Sequence, residues 1–177
     1  MPSVSAQQNR SKPLYTAEQR MRRDASRWTL VQGVLAPIQF LVFLISLALV
    51  ARFLMTGEGA AEATASVIAK TLLLYTIMIT GSIWEKDVFG HYLFVEAFYW
   101  EDVFSMLVLA LHTAYLAAAL FGLLSVEHQM WLALAAYAAY VINAAQFVIK
   151  LRAARREMQG STDAASASMH RFAEAAE

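Results

Sequence analysis

The chain has 177 residues, of which 59% are hydrophobic and 16% charged, with zero formal net charge and no cysteine. The length sets one domain as the prior, and the composition departs from the soluble average toward a membrane protein. Without thiols there is no disulfide scaffold, no thiolate metal site and no cysteine nucleophile.

Residues 1–27 carry Arg10, Lys12, Arg20, Arg22, Arg23 and Arg27. This polar, basic start lacks the apolar core and cleavage site of a signal peptide. It has little apolar content up to about Pro13, which predicts a mobile segment. Thr16, with Gln19 three residues on, predicts the N-cap of a short basic helix. No charge occurs from Trp28 to Ala51, 24 positions, which as helix rise about 36 Å and cross a hydrocarbon core. Gln32 and Gln39 fall on one face with Trp28 and Ser46, where Pro37 is predicted to loosen the helix. Thr56-Gly57-Glu58-Gly59 reads as a turn.

The second apolar run lies between Glu62 and Glu85, with Lys70 as its sole charge. Thr71, Tyr75, Ser82 and Glu85 form one stripe along it. A third run follows, Val103 to Val126, and Glu101, Ser105, His112 and Tyr115 stack on one face there. In the fourth, Asn143, Gln146 and Lys150 share a face beside Tyr140, and its many alanines suit close helix contact. Lys150, Arg152, Arg155 and Arg156 close it, and the Ser/Ala-rich tail is predicted to be disordered. The expectation is an all-α polytopic membrane protein. A basic segment at 1–27 precedes a four-helix transmembrane bundle at 28–156, with spans near 28–53, 63–84, 102–126 and 129–150, and a tail at 157–177.

The distribution of Lys and Arg places both termini in the cytoplasm by the positive-inside rule, and with them the 84–102 connection. The basic patches border membrane segments and carry no nucleic-acid motif, so they read as lipid-facing anchors. No Walker loop, dinucleotide fingerprint, nucleophile elbow or zinc-type spacing occurs.

The connection at 84–102 holds five carboxylates, one lysine, one histidine and seven aromatics, where a plain loop would hold small turn formers. Such a mix suits a membrane–water boundary or the wall of a pocket for a flat apolar ligand. Glu85 and Asp87, with Lys86 between them, also fit a solvated loop. Glu101 fits a helix cap. Its functional reading is a carboxyl at the mouth of a pocket, in line with His112. Gln32, Gln39, Asn143 and Gln146 read first as interhelical hydrogen bonds. Lys70 reads equally as a snorkelling side chain or as the partner of a buried carboxylate, and His112 as an intramembrane functional group or a core histidine.

Several strings go further. Leu14-Tyr15-Thr16, Arg22-Arg23-Asp24-Ala25, Trp28 to Pro37, Gly81 to Lys86, Trp100 to Thr113 and Tyr140 to Phe147 together resemble the 3-vinyl bacteriochlorophyllide hydratase family of phototrophic bacteria. The resemblance spans roughly residues 14–156. It implies a lyase of bacteriochlorophyll synthesis that adds water to the C3-vinyl group of a chlorophyllide or bacteriochlorophyllide, giving a 1-hydroxyethyl group. It implies no organic cofactor, since the substrate brings its own magnesium. The partners implied are the pigment, the lipid bilayer and neighbouring enzymes of the pathway. The implied location is the bacterial inner membrane, cytoplasmic or intracytoplasmic.

The resemblance carries over no catalytic assignment, so roles come from the chemistry. Vinyl hydration starts with a proton on the terminal carbon. It ends with water on the inner carbon, helped by a base. Glu101 or Asp102 is the candidate acid, and His112 the candidate water holder or magnesium ligand. Trp84, Phe98, Tyr99 and Trp100 are candidates to stack on the ring, with Glu85, His91, Ser105, Tyr115, Asn143 and Gln146 as further substrate contacts. The alternative is a non-catalytic tetrapyrrole carrier or assembly factor with His91 and His112 as metal ligands. A small transporter is disfavoured because the polar stripes crowd the cytoplasmic half.

Overall fold

The computed structural model describes residues 14–174, and the segment predicted to be mobile, up to Pro13, lies outside them. Among the described residues there are five helices, four of them long and apolar enough to cross a membrane.

α1 (Ala17–Ala25) begins at Thr16, whose capping box with Gln19 is closed in both directions, at 3.2 Å and 2.9 Å. It ends at Ser26, which accepts from the Trp28 amide and caps α2 (Arg27–Thr56). The Thr29 hydroxyl donates to the Arg23 carbonyl at 2.6 Å and fixes this elbow. Just ahead of α1, Tyr15 is buried with its ring stacked on Phe89. Burial pushes its hydroxyl up to about 12 against the opposing pull of Arg23, so it packs as a neutral ring.

α2 runs through Pro37 without ending there. α3 (Ala60–Phe89) follows, then α4 (Tyr99–Phe121) and α5 (Val126–Glu174). The spanning portions, 23 to 31 residues, rise about 35–46 Å, more than the roughly 30 Å hydrocarbon thickness. The helix ends differ from the sequence expectation at two glycines. α3 continues five residues beyond 84 because Gly90, at φ 89°, supplies the left-handed C-cap there. α4 stops at Phe121, short of 126, because Gly122 at φ 63° does the same. α5 continues past Arg156 to Glu174, where composition predicts disorder; alanine, methionine and arginine are strong helix formers.

The helices run up and down, with α2 packed on α3 and α5, and α4 on α3 and α5. Leu30, Val34, Ile38, Leu41 and Ile45 of α2 point outward, the side a lipid solvent favours. Phe43, Val67, Leu74, Val108, Met130 and Tyr137 fill the centre, and Ala133 and Ala136 let α5 approach closely.

Polar ties cross the bundle. Ser46 reaches Ser66 at 2.7 Å and the Tyr137 hydroxyl at 2.5 Å, and Gln32 donates to Thr80 at 2.8 Å. Interhelical hydrogen bonds in membranes average about 0.6 kcal/mol. Ser46→Ala, losing two, is expected to cost about 1 kcal/mol in reversible unfolding in detergent micelles. No change in the unfolding midpoint would show that these ties contribute nothing.

Candidate active site

The last turn of α3, the link at 90–98, the first turn of α4 and the end of the α5 span meet at one end of the bundle. The longer α3 decides where Glu85 goes. On a helix it shares a face with Val88, one turn on, and both point inward. Glu85 is 5% exposed. The solvated-loop reading of Glu85 is corrected here, whereas Asp87 is exposed as that reading requires.

Asp102 is 3% exposed and lies within hydrogen-bonding reach of Glu85. Two carboxyls this close can share a proton, because only a protonated carboxyl has a hydrogen to donate. Two amides of the link grip the pair. Phe94 N–H donates to Asp102 Oδ2 at 2.7 Å, and the Val95 N–H approaches Glu85. Phe94 takes φ 58°, a left-handed conformation that costs a bulky residue roughly 1 kcal/mol or more. The carboxyl pair thus clamps a strained link against the bundle. Glu85 Oε2 is buried and takes no protein partner.

Glu101, next to Asp102, points elsewhere. Lys150 Nζ donates to its Oε2 at 2.5 Å, so this carboxylate stands in an ion pair. Asn143 Nδ2 donates to the Glu101 carbonyl at 2.8 Å and to Ser105 Oγ at 3.1 Å. These bonds lock α4 to α5. Lys150 Nζ also stands 5.2 Å from the Phe98 ring centre. Phe98 is 1% exposed and packs on Trp84 at 5.8 Å, Phe89 at 5.9 Å and Phe147 at 5.8 Å. Trp84 Nε1–H is held by the Thr29 hydroxyl at 2.9 Å. Two neighbouring buried carboxyls and one carboxylate with an ammonium therefore lie beside a wall of rings.

Other candidates fall in three places. Tyr99 and Trp100 are exposed and packed edge to face at 5.6 Å, outside the buried wall, and His91 is exposed on the link. Gln146 is half-buried on α5, with its Oε1 unpartnered. His112 and Tyr115 lie deeper: a ten-residue helical rise of about 15 Å separates His112 from Asp102. The His112 Nδ1 bonds the Val108 carbonyl at 2.8 Å, and its ring neighbours Tyr137. His112 and His91 do not meet. Lys150, read from the sequence as part of a lipid-facing basic patch, is instead the partner of Glu101. Its signal was present, as Lys150 shares a face with Asn143 on α5 while Glu101 shares one with Ser105 on α4.

The comparisons with known proteins agree with one another. The family described as 2-vinyl bacteriochlorophyllide hydratase matches residues 15–153. A protein of that name from Cereibacter sphaeroides is 67% identical over 150 residues, covering 84% of this chain and 92% of the relative. Another of that name, from Rhodobacter capsulatus, is 61% identical over 171 residues, covering 97% and 98%. No solved structure matches. The locants 2 and 3 reflect different numberings of the macrocycle periphery. Match, identity and coverage together place the chain in the 2-vinyl bacteriochlorophyllide hydratase family.

Proposed function

We propose that this multi-pass membrane protein hydrates the vinyl group of a bacteriochlorophyllide-type tetrapyrrole at the Glu85–Asp102 carboxyl pair. The hydratase activity in bacteriochlorophyll synthesis follows the family and its relatives. The observation that carries the site is the pair itself, two buried carboxyls within hydrogen-bonding reach of each other beside a separate ion-paired carboxylate, and in this reading the two hold one proton between them. Neighbouring acidic groups in contrasting surroundings divide into acid and base.

In this reading Glu85 gives its proton to the terminal vinyl carbon. The π electrons form the new C–H bond, and the inner carbon is left as a cation delocalised into the macrocycle. Water adds there through oxygen, and its surplus proton passes to the Glu101 carboxylate, held by Lys150. Proton return from Glu101 to the carboxyl pair closes the cycle with no net change in the protein. Trp84 and Phe98 supply an apolar wall, and the exposed rings of Phe94, Tyr99 and Trp100 meet the macrocycle at the membrane boundary. Acid, base and water suffice, so no organic cofactor is invoked, and the magnesium belongs to the substrate. Membranes incubated with the vinyl pigment in D2O should yield the hydroxyethyl product with one deuterium on its methyl group. Unchanged pigment would instead identify a carrier.

The site faces the cytoplasm of the bacterial inner membrane in this reading, on the segregation of Lys and Arg. Reporters at residues 1 and 177 are expected on the cytoplasmic side and one at Gly57 on the periplasmic side. A cytoplasmic reporter at Gly57 would refute this orientation.

A further inference from the structure

A second polar group lies in the centre of the bundle, away from the carboxyls. Lys70 of α3 and His112 of α4 are fully buried, and Gln39 of α2 is 2% exposed. Lys70 Nζ, His112 Nε2 and both amide atoms of Gln39 have no protein partner. Neither sequence reading of Lys70 fits, for it does not reach the surface and has no carboxylate on its ammonium. Its Nζ stands 3.8 Å from the Tyr140 ring centre and 6.0 Å from that of Tyr137. The His112 ring is 5.9 Å from Tyr137. Phe43, one turn beyond Gln39, packs on the same two tyrosines at 5.4 and 5.1 Å.

An unsatisfied buried polar group costs about 1–3 kcal/mol, and an ammonium more. Surrounded by lipid, none of these atoms can turn to solvent. The chemistry of the atoms narrows what meets them. A carbonyl only accepts, so His112 Nδ1 carries the hydrogen donated to Val108, and Nε2 of the neutral ring offers a lone pair. Lys70 only donates, and Gln39 does both. This mixed set repels a bare anion at His112 and a cation at Lys70, while water satisfies every atom. Tyr140 and Tyr137 add ring faces to an ammonium that keeps part of its shell.

We infer that Gln39, Lys70 and His112 bind a small cluster of water molecules inside the transmembrane bundle. Buried waters of this kind make about three hydrogen bonds each and belong to the folded structure. The site does not depend on the proposed reaction.

X-ray radiolytic labelling of the whole protein in membranes reads bound water directly, because hydroxyl radicals form where water sits. Tyr137, Tyr140 and His112 are expected to be oxidised in the wild type despite their burial. Labelling of both tyrosines should fall at least several-fold in Lys70→Met. Wild-type rings as unreactive as a dry core would overturn the inference, as would labelling unchanged in Lys70→Met. Should that variant fail to insert, Gln39→Met gives the same reading. Thermal unfolding gives an independent one. Polar groups held by water lose a partner network when one is replaced, so Gln39→Met and His112→Phe lower the midpoint. Dry, unsatisfied groups predict the reverse, and a raised midpoint in both variants would likewise contradict the cluster.

Discussion

Glu85→Gln is expected to insert, fold and bind pigment, yet to hydrate it at least about a hundred-fold more slowly, the low end for losing a general acid. The amide keeps the shape and still meets the Val95 amide and Asp102, but holds no dissociable proton. Asp102→Asn should lose a comparable factor, because the proton belongs to the pair. It should also loosen the link, since an amide oxygen accepts more weakly from Phe94 N–H than a carboxylate does. Faster proteolysis at 90–98 in Asp102→Asn, but not in Glu85→Gln, would separate the clamp from the chemistry. Initial rate and pigment affinity in the same membranes are the readouts. Normal turnover by Glu85→Gln would remove the pair from the mechanism.

The second large effect is expected at Lys150. Lys150→Met strands the Glu101 carboxylate, a residue only 7% exposed. Breaking a fully buried pair this way costs 3–5 kcal/mol; the Lys150 side chain is 28% exposed, and water contact reduces the cost to about 1–3 kcal/mol. Glu101→Gln leaves an ammonium that can turn toward water, so its stability loss should be smaller, while its turnover falls about 10²-fold as a base is lost. The double variant should be more stable than Lys150→Met alone, since it carries no stranded charge. Lys150→Arg, which keeps the charge, should recover part of the lost rate. A Lys150→Met protein of wild-type stability and rate would show the ion pair to be idle.

These residues show what a sequence discloses and what it withholds. The four spans were legible because lipid demands long uncharged helices, and Lys70 interrupts only one of them. The α1 cap was legible in Thr16 and Gln19, because a capping box is a local pattern. The inward face of Glu101, Ser105, His112 and Tyr115 was legible from spacing, and all four are buried. Pairing between helices was not. That Glu101 meets Lys150 and Asp102 meets Glu85 depends on how far α3 extends and how α4 is rotated. A stop at 84, where the sequence reading ended this helix, would have left Glu85 on the link instead of on the inward face of α3. Spacing alone also sets Asp102 about 100° from Glu101, off the face that Glu101 shares with Ser105 and His112. Both side chains point inward because α4 starts wedged between α3 and α5, so each direction meets protein. His112 illustrates the opposite error, in which a shared face suggests a shared site although the helical rise separates the two.

The most direct test of the account is turnover by Glu85→Gln/Asp102→Asn beside the two single variants, with bound pigment measured in parallel. Residues that act as one unit lose activity once, not twice. If the two carboxyls share one catalytic proton, the double variant binds pigment and turns over no more slowly than the slower single variant. Losses that multiply, or a double variant that still hydrates at the wild-type rate, would contradict it.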